Sequence, residues 1–144
     1  MIVYHSLISL NIGKYMDVKY LVVHQSDSPD DMYVDAPMIH VWHLQRQFSG
    51  IGYHYVILRS GFIEGGRPEY WQGAHVKGHN HESLGICLIG RNEFTREQYS
   101  TLRILLSQTL ACHPDAEVVG HGDLDTAKYY CPGFDVRAWW ANLT

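Results

Sequence analysis

The chain predicts a mixed α/β domain, with a central, mostly mixed β-sheet flanked by helices. Three observations carry that reading. Short apolar and β-branched runs, Tyr20–His24, Tyr53–Leu58, Leu84–Ile89 and Ala116–Gly120, have the length of buried strands. Segments with helical spacing and helix-start signals separate them. The composition, 46% hydrophobic and 18% charged over 144 residues, suits one domain with an ordinary core. Strands alternating with helices bury both kinds of element when helices cover a sheet.

The first strand, Tyr20 to His24, is a β-branched run that ends on a polar residue. Gln25 to Asp35 is a polar loop rich in Ser, Asp and Pro. Asp35 is placed to cap a helix with Pro37 in its first turn. That helix runs to about Phe48, with Ile39, Trp42 and His43 on one face, and Ser49-Gly50-Ile51-Gly52 ends it. Tyr53 to Leu58 reads as a second strand, turning at Arg59-Ser60-Gly61 into Phe62-Ile63-Glu64. Gly65 to His81 is loop. Leu84 to Ile89 is a buried strand. Thr95 with Gln98 three residues on matches a capping box, and the helix after it turns Tyr99, Leu102, Leu106 and Leu110 inward. Ala116 to Gly120 leads a strand into His121. A last helix starts near Asp135 and buries Val136, Trp139 or Trp140, and Leu143. The N-terminal stretch has no clear period, no basic segment and no small-residue cleavage site. Residues 1–16 therefore read as an extension ahead of a domain of residues 17–144.

Charge and composition exclude several classes. A net charge of −4 gives no general pull toward nucleic acid or an anionic membrane. No apolar run approaches the roughly 20 residues that span a bilayer, so no transmembrane segment is expected. Three cysteines, Cys87, Cys112 and Cys131, are too few and odd in number for a disulfide framework.

The chemistry gathers near the C-terminal end. A short apolar run delivers His121; a polar loop follows and closes on Cys131-Pro132-Gly133. A His and a Cys ten positions apart can close on one metal ion, and zinc accepts both donors. His24, presented at the end of a strand, is the candidate third ligand; the alternative is a hydrogen-bonded histidine with no metal. Tyr53 reads as a strand aromatic of the core, or as a group beside the metal. His54 alternates with it and faces the other side. His75 lies in a loop facing the proposed groove. His79, His81 and Asn80 read as polar loop residues, with Asn80 able to hydrogen-bond a substrate. His5, His40 and His113 read as surface. Asp123 either orients a metal ligand or caps its loop. Cys87 reads as a buried strand residue.

An ordered set of motifs then resembles one family. His24 after a hydrophobic strand, Trp42-His43 on a helix, Gly52-Tyr53-His54-Tyr55, Gly66-Arg67, Gly73-Ala74-His75, Asn80, Ser83-Leu84-Gly85-Ile86, Gly120-His121 and Cys131-Pro132-Gly133 occur in the order seen in the zinc-dependent N-acetylmuramoyl-L-alanine amidases of the phage-lysozyme and peptidoglycan-recognition-protein type. The resemblance covers about residues 18–143. It implies one zinc in an open groove, held by His24, His121 and Cys131. It carries the auxiliary catalytic Tyr and Lys of the phage branch to Tyr53 and Lys128, and leaves His75 and Asn80 as substrate-binding residues. In the family the Lys usually stands two positions before the metal-binding Cys. Here Lys128 stands three before Cys131, with Tyr129 and Tyr130 between.

The implied function is hydrolysis of the amide between N-acetylmuramic acid and L-alanine in peptidoglycan, by a phage or prophage endolysin. Amide hydrolysis needs an activated water and a stabilised oxyanion, and zinc supplies both. The chain offers no obvious carboxylate pair of the kind glycoside hydrolysis uses. The rival is a module on the same fold that binds muropeptide without cutting it; such a binder has no need of Cys131. A regulatory protein that docks on another protein is a third class. The expected product is a monomer, made in the cytoplasm without a signal peptide and acting on the cell wall.

Overall fold

The computed structural model describes residues 16–143. Residues 1–15 of the expected 1–16 extension, His5 among them, lie outside the described residues. Met16 packs against the main core.

Five strands form one mixed sheet: β1 Tyr20–Gln25, β2 Tyr55–Ile57, β3 Ile63–Gly65, β4 Ser83–Leu88 and β5 Glu117–Gly120, in spatial order β3-β2-β4-β1-β5. β1, β2, β4 and β5 pair in parallel, and the β2–β3 hairpin is antiparallel. β1 and β4 sit in the middle of the sheet. A central parallel strand is covered on both faces, which is why these two read as unbroken apolar runs rather than alternating ones.

Alternation along each strand divides the core. Leu21 and Val23 of β1 join Leu84, Ile86 and Leu88 of β4 under α2, Arg96–Cys112, which contributes Leu102, Leu105 and Leu106. The last helix, α4 Val136–Leu143, closes this face with Val136. On the opposite face, Val56 of β2 and Cys87 of β4 pack against Ile39 of α1, Ala36–Gln45. His24 follows Val22 by two residues and so belongs to this second face.

Local signals explain the helix starts. Asp35 accepts from the Met38 N–H at the start of α1, with Pro37 in the first turn. Thr95 and Gln98 form the expected capping box of α2. Gly52 is required by proximity: a Cβ there would lie 2.0 Å from the Ala74 carbonyl oxygen.

Several expectations are corrected. The second strand is shorter than Tyr53–Leu58, because Tyr53 and His54 sit where the chain converges on the loop after β3. There the Gly66 N–H donates to the His54 carbonyl and the Arg67 N–H to that of Tyr53. α1 stops at Gln45, ahead of Phe48, since Gln47 takes φ +66. Leu143 is 39% exposed: α4 ends there, beyond the sheet that Val136 covers. His113 is not on the surface; its side chain is 7% exposed and its Nε2 lies 3.4 Å from buried Glu69. A short helix, α3 His121–Leu124, continues directly from β5 and was not expected.

The sheet face under α2 predicts the chain's sensitivity to truncation. Leu106 is fully buried there. Leu106→Ala should cost about 2–5 kcal/mol of unfolding free energy, read from urea denaturation.

Candidate metal centre

Three elements bring three donors together at the C-terminal edge of the parallel strands. β1 carries His24 near its end. β5 runs straight into α3, whose first residue is His121. The loop after α3 returns Cys131: its carbonyl accepts from the Gly122 N–H at 3.0 Å and its N–H donates to the Lys128 carbonyl at 2.9 Å. Gly122 permits this return, since a Cβ there would meet the Lys128 oxygen at 2.8 Å. One ligand atom each from His24, His121 and Cys131 lie within 4.8 Å of one another. This is the one such trio of donors among the described residues.

The histidine rings around the trio are ordered by contact. His24 Nε2 lies 2.8 Å from His75 Nδ1. His75 Nε2 in turn lies 3.3 Å from Ser83 Oγ, whose hydroxyl donates to the His79 carbonyl at 2.8 Å. A chain of donors follows if His24 offers Nδ1 to a cation: His24 Nε2–H to His75, His75 Nε2–H to Ser83, and Ser83 O–H to the backbone. Gly85 of β4 makes the room, because a Cβ there would stand 2.6 Å from the His75 ring. Asn80 Oδ1 accepts from the His75 and Val76 N–H groups at 2.8 and 2.9 Å, fixing the loop that carries His75. The carboxylate that faces His121 belongs to Asp125, 4.0 Å from Nε2. Asp123 instead accepts from the Gly120 N–H at 2.8 Å, which settles its role as a cap.

Burial sets the charge states. His24 and His75 are held well below the ordinary histidine range, first by loss of solvent and then by neighbouring imidazoles. His121 is lowered by burial too, partly offset by Asp125. Burial pushes the Cys131 thiol up to about 11, against the pull of the Gln25 N–H and Lys128. Two neutral imidazoles and a buried thiol whose proton a bound cation would displace to solvent are a donor set that fits a borderline-soft divalent metal.

The trio lies in an open groove of about 730 Å³. Its lining includes Trp42, His43, Arg46, Lys77, Lys128 and Tyr130. Tyr53 lies among these residues, its ring centroid 5.1 Å from that of His24 and 5.4 Å from that of His43. Burial, with Cys87 and Cys131 adding, raises the phenol well above its ordinary range. Lys128 is exposed, with Nζ 3.4 Å from the Tyr130 hydroxyl. All seven residues singled out in the sequence therefore meet at one groove. Sequence reading gave no role to Gln25, Ser83 or Asp125; Ser83 entered only as part of the Ser83-Leu84-Gly85-Ile86 motif.

Two histidines and a cysteine gathered in an open groove make this an α/β domain with a candidate metal site. Comparison with known proteins narrows this class. The family profile described as N-acetylmuramoyl-L-alanine amidase matches residues 14–134. The endolysin of Escherichia phage T7 is 36% identical over 128 residues, 83% of each chain. The endolysin of Klebsiella phage KP32 is 34% identical over 135 residues, 88% of each chain. Among solved structures, the N-acetylmuramoyl-L-alanine amidase LysC from Clostridium intestinale superposes with a TM-score of 0.79 at 28% identity, covering 89% of this chain and 86% of that one. The chain belongs to the N-acetylmuramoyl-L-alanine amidase family.

One pH effect follows from the groove wall. His43 Nδ1 accepts from the Gly52 N–H at 2.8 Å, and burial, with Arg46 and Arg67 adding, lowers its pKa to about 4. Unfolded, the group titrates near 6.5. Between those values the unfolded chain binds a proton that the folded chain refuses. Its contribution is therefore complete above about pH 6.5 and is lost as pH falls toward about 4. The urea midpoint of metal-free wild type should fall more between pH 7 and pH 5 than that of His43→Asn. Equal slopes would show that His43 does not carry this proton linkage.

Proposed function

We propose that the chain is a zinc-dependent hydrolase that cleaves the amide between N-acetylmuramic acid and L-alanine in peptidoglycan, acting at the cell wall as a phage or prophage endolysin. The carrying observation is the convergence of His24, His121 and Cys131 within 4.8 Å at the floor of an open groove, in a chain of the amidase family. These three residues would hold the zinc. When bound, zinc supplies Lewis acidity and brings the pKa of a water to about 7.

The other groups do work that zinc does not. Tyr53, its phenol kept protonated by burial, is a hydrogen-bond donor at neutral pH and is assigned to the oxyanion that develops on the scissile carbonyl. Lys128, in the loop between two ligands, brings a mobile cation to the same groove; the extra residue before Cys131 leaves it lining that groove beside Tyr130. His75 orients His24, and because both its ring nitrogens are engaged, it offers a substrate its ring face. Asn80 spends its carbonyl oxygen on the loop and keeps its amide nitrogen for a muropeptide. The protein is assigned as a monomer with peptidoglycan as its macromolecular partner. No helix among the described residues is long and apolar enough to cross a membrane.

A muropeptide-binding module without catalysis is the weaker reading, since binding alone makes no use of a buried thiol beside two neutral imidazoles. Digestion of purified peptidoglycan separates the two. The chain should release L-alanine amino termini without new reducing sugars, and a chelator should stop it. Reducing ends would mean a glycosidase; bound but uncut peptidoglycan with zinc present would mean the binding module.

Two kinds of variant separate metal binding from chemistry. Cys131→Ala should lose most of its zinc, measured by metal analysis. Tyr53→Phe and Lys128→Ala should keep zinc and fold but lose about 10²–10³ in kcat, the usual cost of one oxyanion donor. Full turnover in Lys128→Ala would remove the lysine from the mechanism.

A further inference from the structure

We infer that Gln25 is the positioning residue that holds Cys131 against the strand carrying His24, so that the two ligands share one cation. The inference rests on the metal reading above. Gln25 ends β1, one residue past His24, and is 6% exposed. Its backbone N–H donates to Cys131 Sγ at 3.4 Å. Its side-chain Nε2 donates to the Pro132 carbonyl at 2.9 Å, the Tyr130 carbonyl at 3.3 Å and the Arg91 carbonyl at 3.1 Å. Three carbonyl acceptors can only face the amide nitrogen, which fixes the orientation of the group. One side chain thus grips the backbone on both sides of Cys131 and ties it to the loop after β4.

The two backbone hydrogen bonds of Cys131 run to Lys128 and to Gly122 of α3, neither of them on β1. Tyr129 and Tyr130, which lengthen the approach to Cys131, are 83% and 44% exposed and so give the loop no apolar anchor. The hydrogen bonds from this loop to β1 are those of Gln25. The arrangement also has a cost: Gln25 Oε1 is buried and has no hydrogen-bond partner. An unpaired buried acceptor is expensive. The amide is kept here for what its nitrogen holds. Along a strand His24 and Gln25 point to opposite sides, so one dipeptide supplies a metal ligand on one side and a clamp for another ligand on the other.

The test uses the full chain and two buried glutamines. Gln25→Met preserves length and volume and removes every side-chain donor. Gln98→Met is the control: Gln98 is fully buried and its Nε2 donates to the Ile57 and Ile89 carbonyls at 3.2 and 2.8 Å, away from the groove. Zinc affinity is measured by chelator competition. The Co²⁺-loaded protein is read by its thiolate-to-cobalt charge-transfer absorption, a signature that a general loss of stability does not move. Gln25→Met should fold, bind zinc about 10–100-fold more weakly, and show a weakened or displaced cobalt–thiolate band. Gln98→Met should be less stable yet keep wild-type affinity and band. Wild-type affinity with an unaltered band in Gln25→Met overturns the inference, as does an equal loss of affinity in Gln98→Met. If Gln25→Met does not fold, Gln25→Asn, which withdraws the amide by one methylene, takes its place with the same expectations. A wild-type chain that binds no zinc overturns the metal reading itself, a result distinct from a Gln25→Met protein that matches a zinc-binding wild type.

Discussion

The position of β1 between β4 and β5 is the constraint on which the rest depends. A central parallel strand cannot shift its register without moving residues from one covered face to the other. Tyr20 to Gln25 pair with Ser83 to Leu88, and Tyr20 to Val23 pair with Glu117 to Gly120. These pairings fix where β1 and β5 end relative to one another. His24 is beside the end of β1 and His121 directly follows β5, so register places two donors side by side before any loop is considered. The third donor is the one that register does not place. Cys131 reaches the pair through a loop, and the Gly122–Cys131 bond closes it.

Tertiary order of this kind is only partly legible in a sequence. The apolar runs of β1 and β4 are short, β-branched and uninterrupted, which is how a buried parallel strand must look. The caps at Asp35 and Thr95 act through local hydrogen bonds and are therefore visible locally. Tyr53-His54 carries the same aromatic and polar alternation as a strand, yet its pairing is broken up by the Gly66-Arg67 segment. α3 is four residues long and holds no period that could be seen in advance. His113 looked like a surface histidine because its partner, Glu69, is 44 positions away in a loop.

The site was legible where a side chain type announces chemistry, and opaque where an ordinary residue supports it. His24, His121 and Cys131 are rare donors in suggestive places. Gln25, Ser83 and Asp125 are common polar residues whose roles exist only in three dimensions. The glycine at position 85 lies between these cases. Inside a strand it weakens packing, and the reason to keep it is the imidazole of His75 against its α-carbon. Such a glycine marks a close approach without saying what approaches.

The groove, and His54 packed behind His75, are assembled from groups that burial keeps neutral. His24, His43, His54 and His75 are each lowered, first by desolvation in every case. Tyr53 and Cys131 are raised by the same cause. Imidazoles gathered this closely would repel one another if charged; His24 and His121 have ring centroids 4.5 Å apart. Neutrality removes that repulsion and the larger cost of burying unpaired charge. It also leaves every donor in the form that a cation needs or induces, because imidazole binds metal when neutral and a thiol releases its proton to solvent as the thiolate is bound. The cationic groups that line the groove, Arg46, Lys77 and Lys128, are all exposed to solvent. A single buried divalent charge can then be compensated locally by the Cys131 sulfur. The fold achieves this by burial of six polar side chains, and the hydrogen bonds of His54 to Trp71 and Gly85, of His75 to Ser83, and of His43 to Gly52 make that burial tolerable.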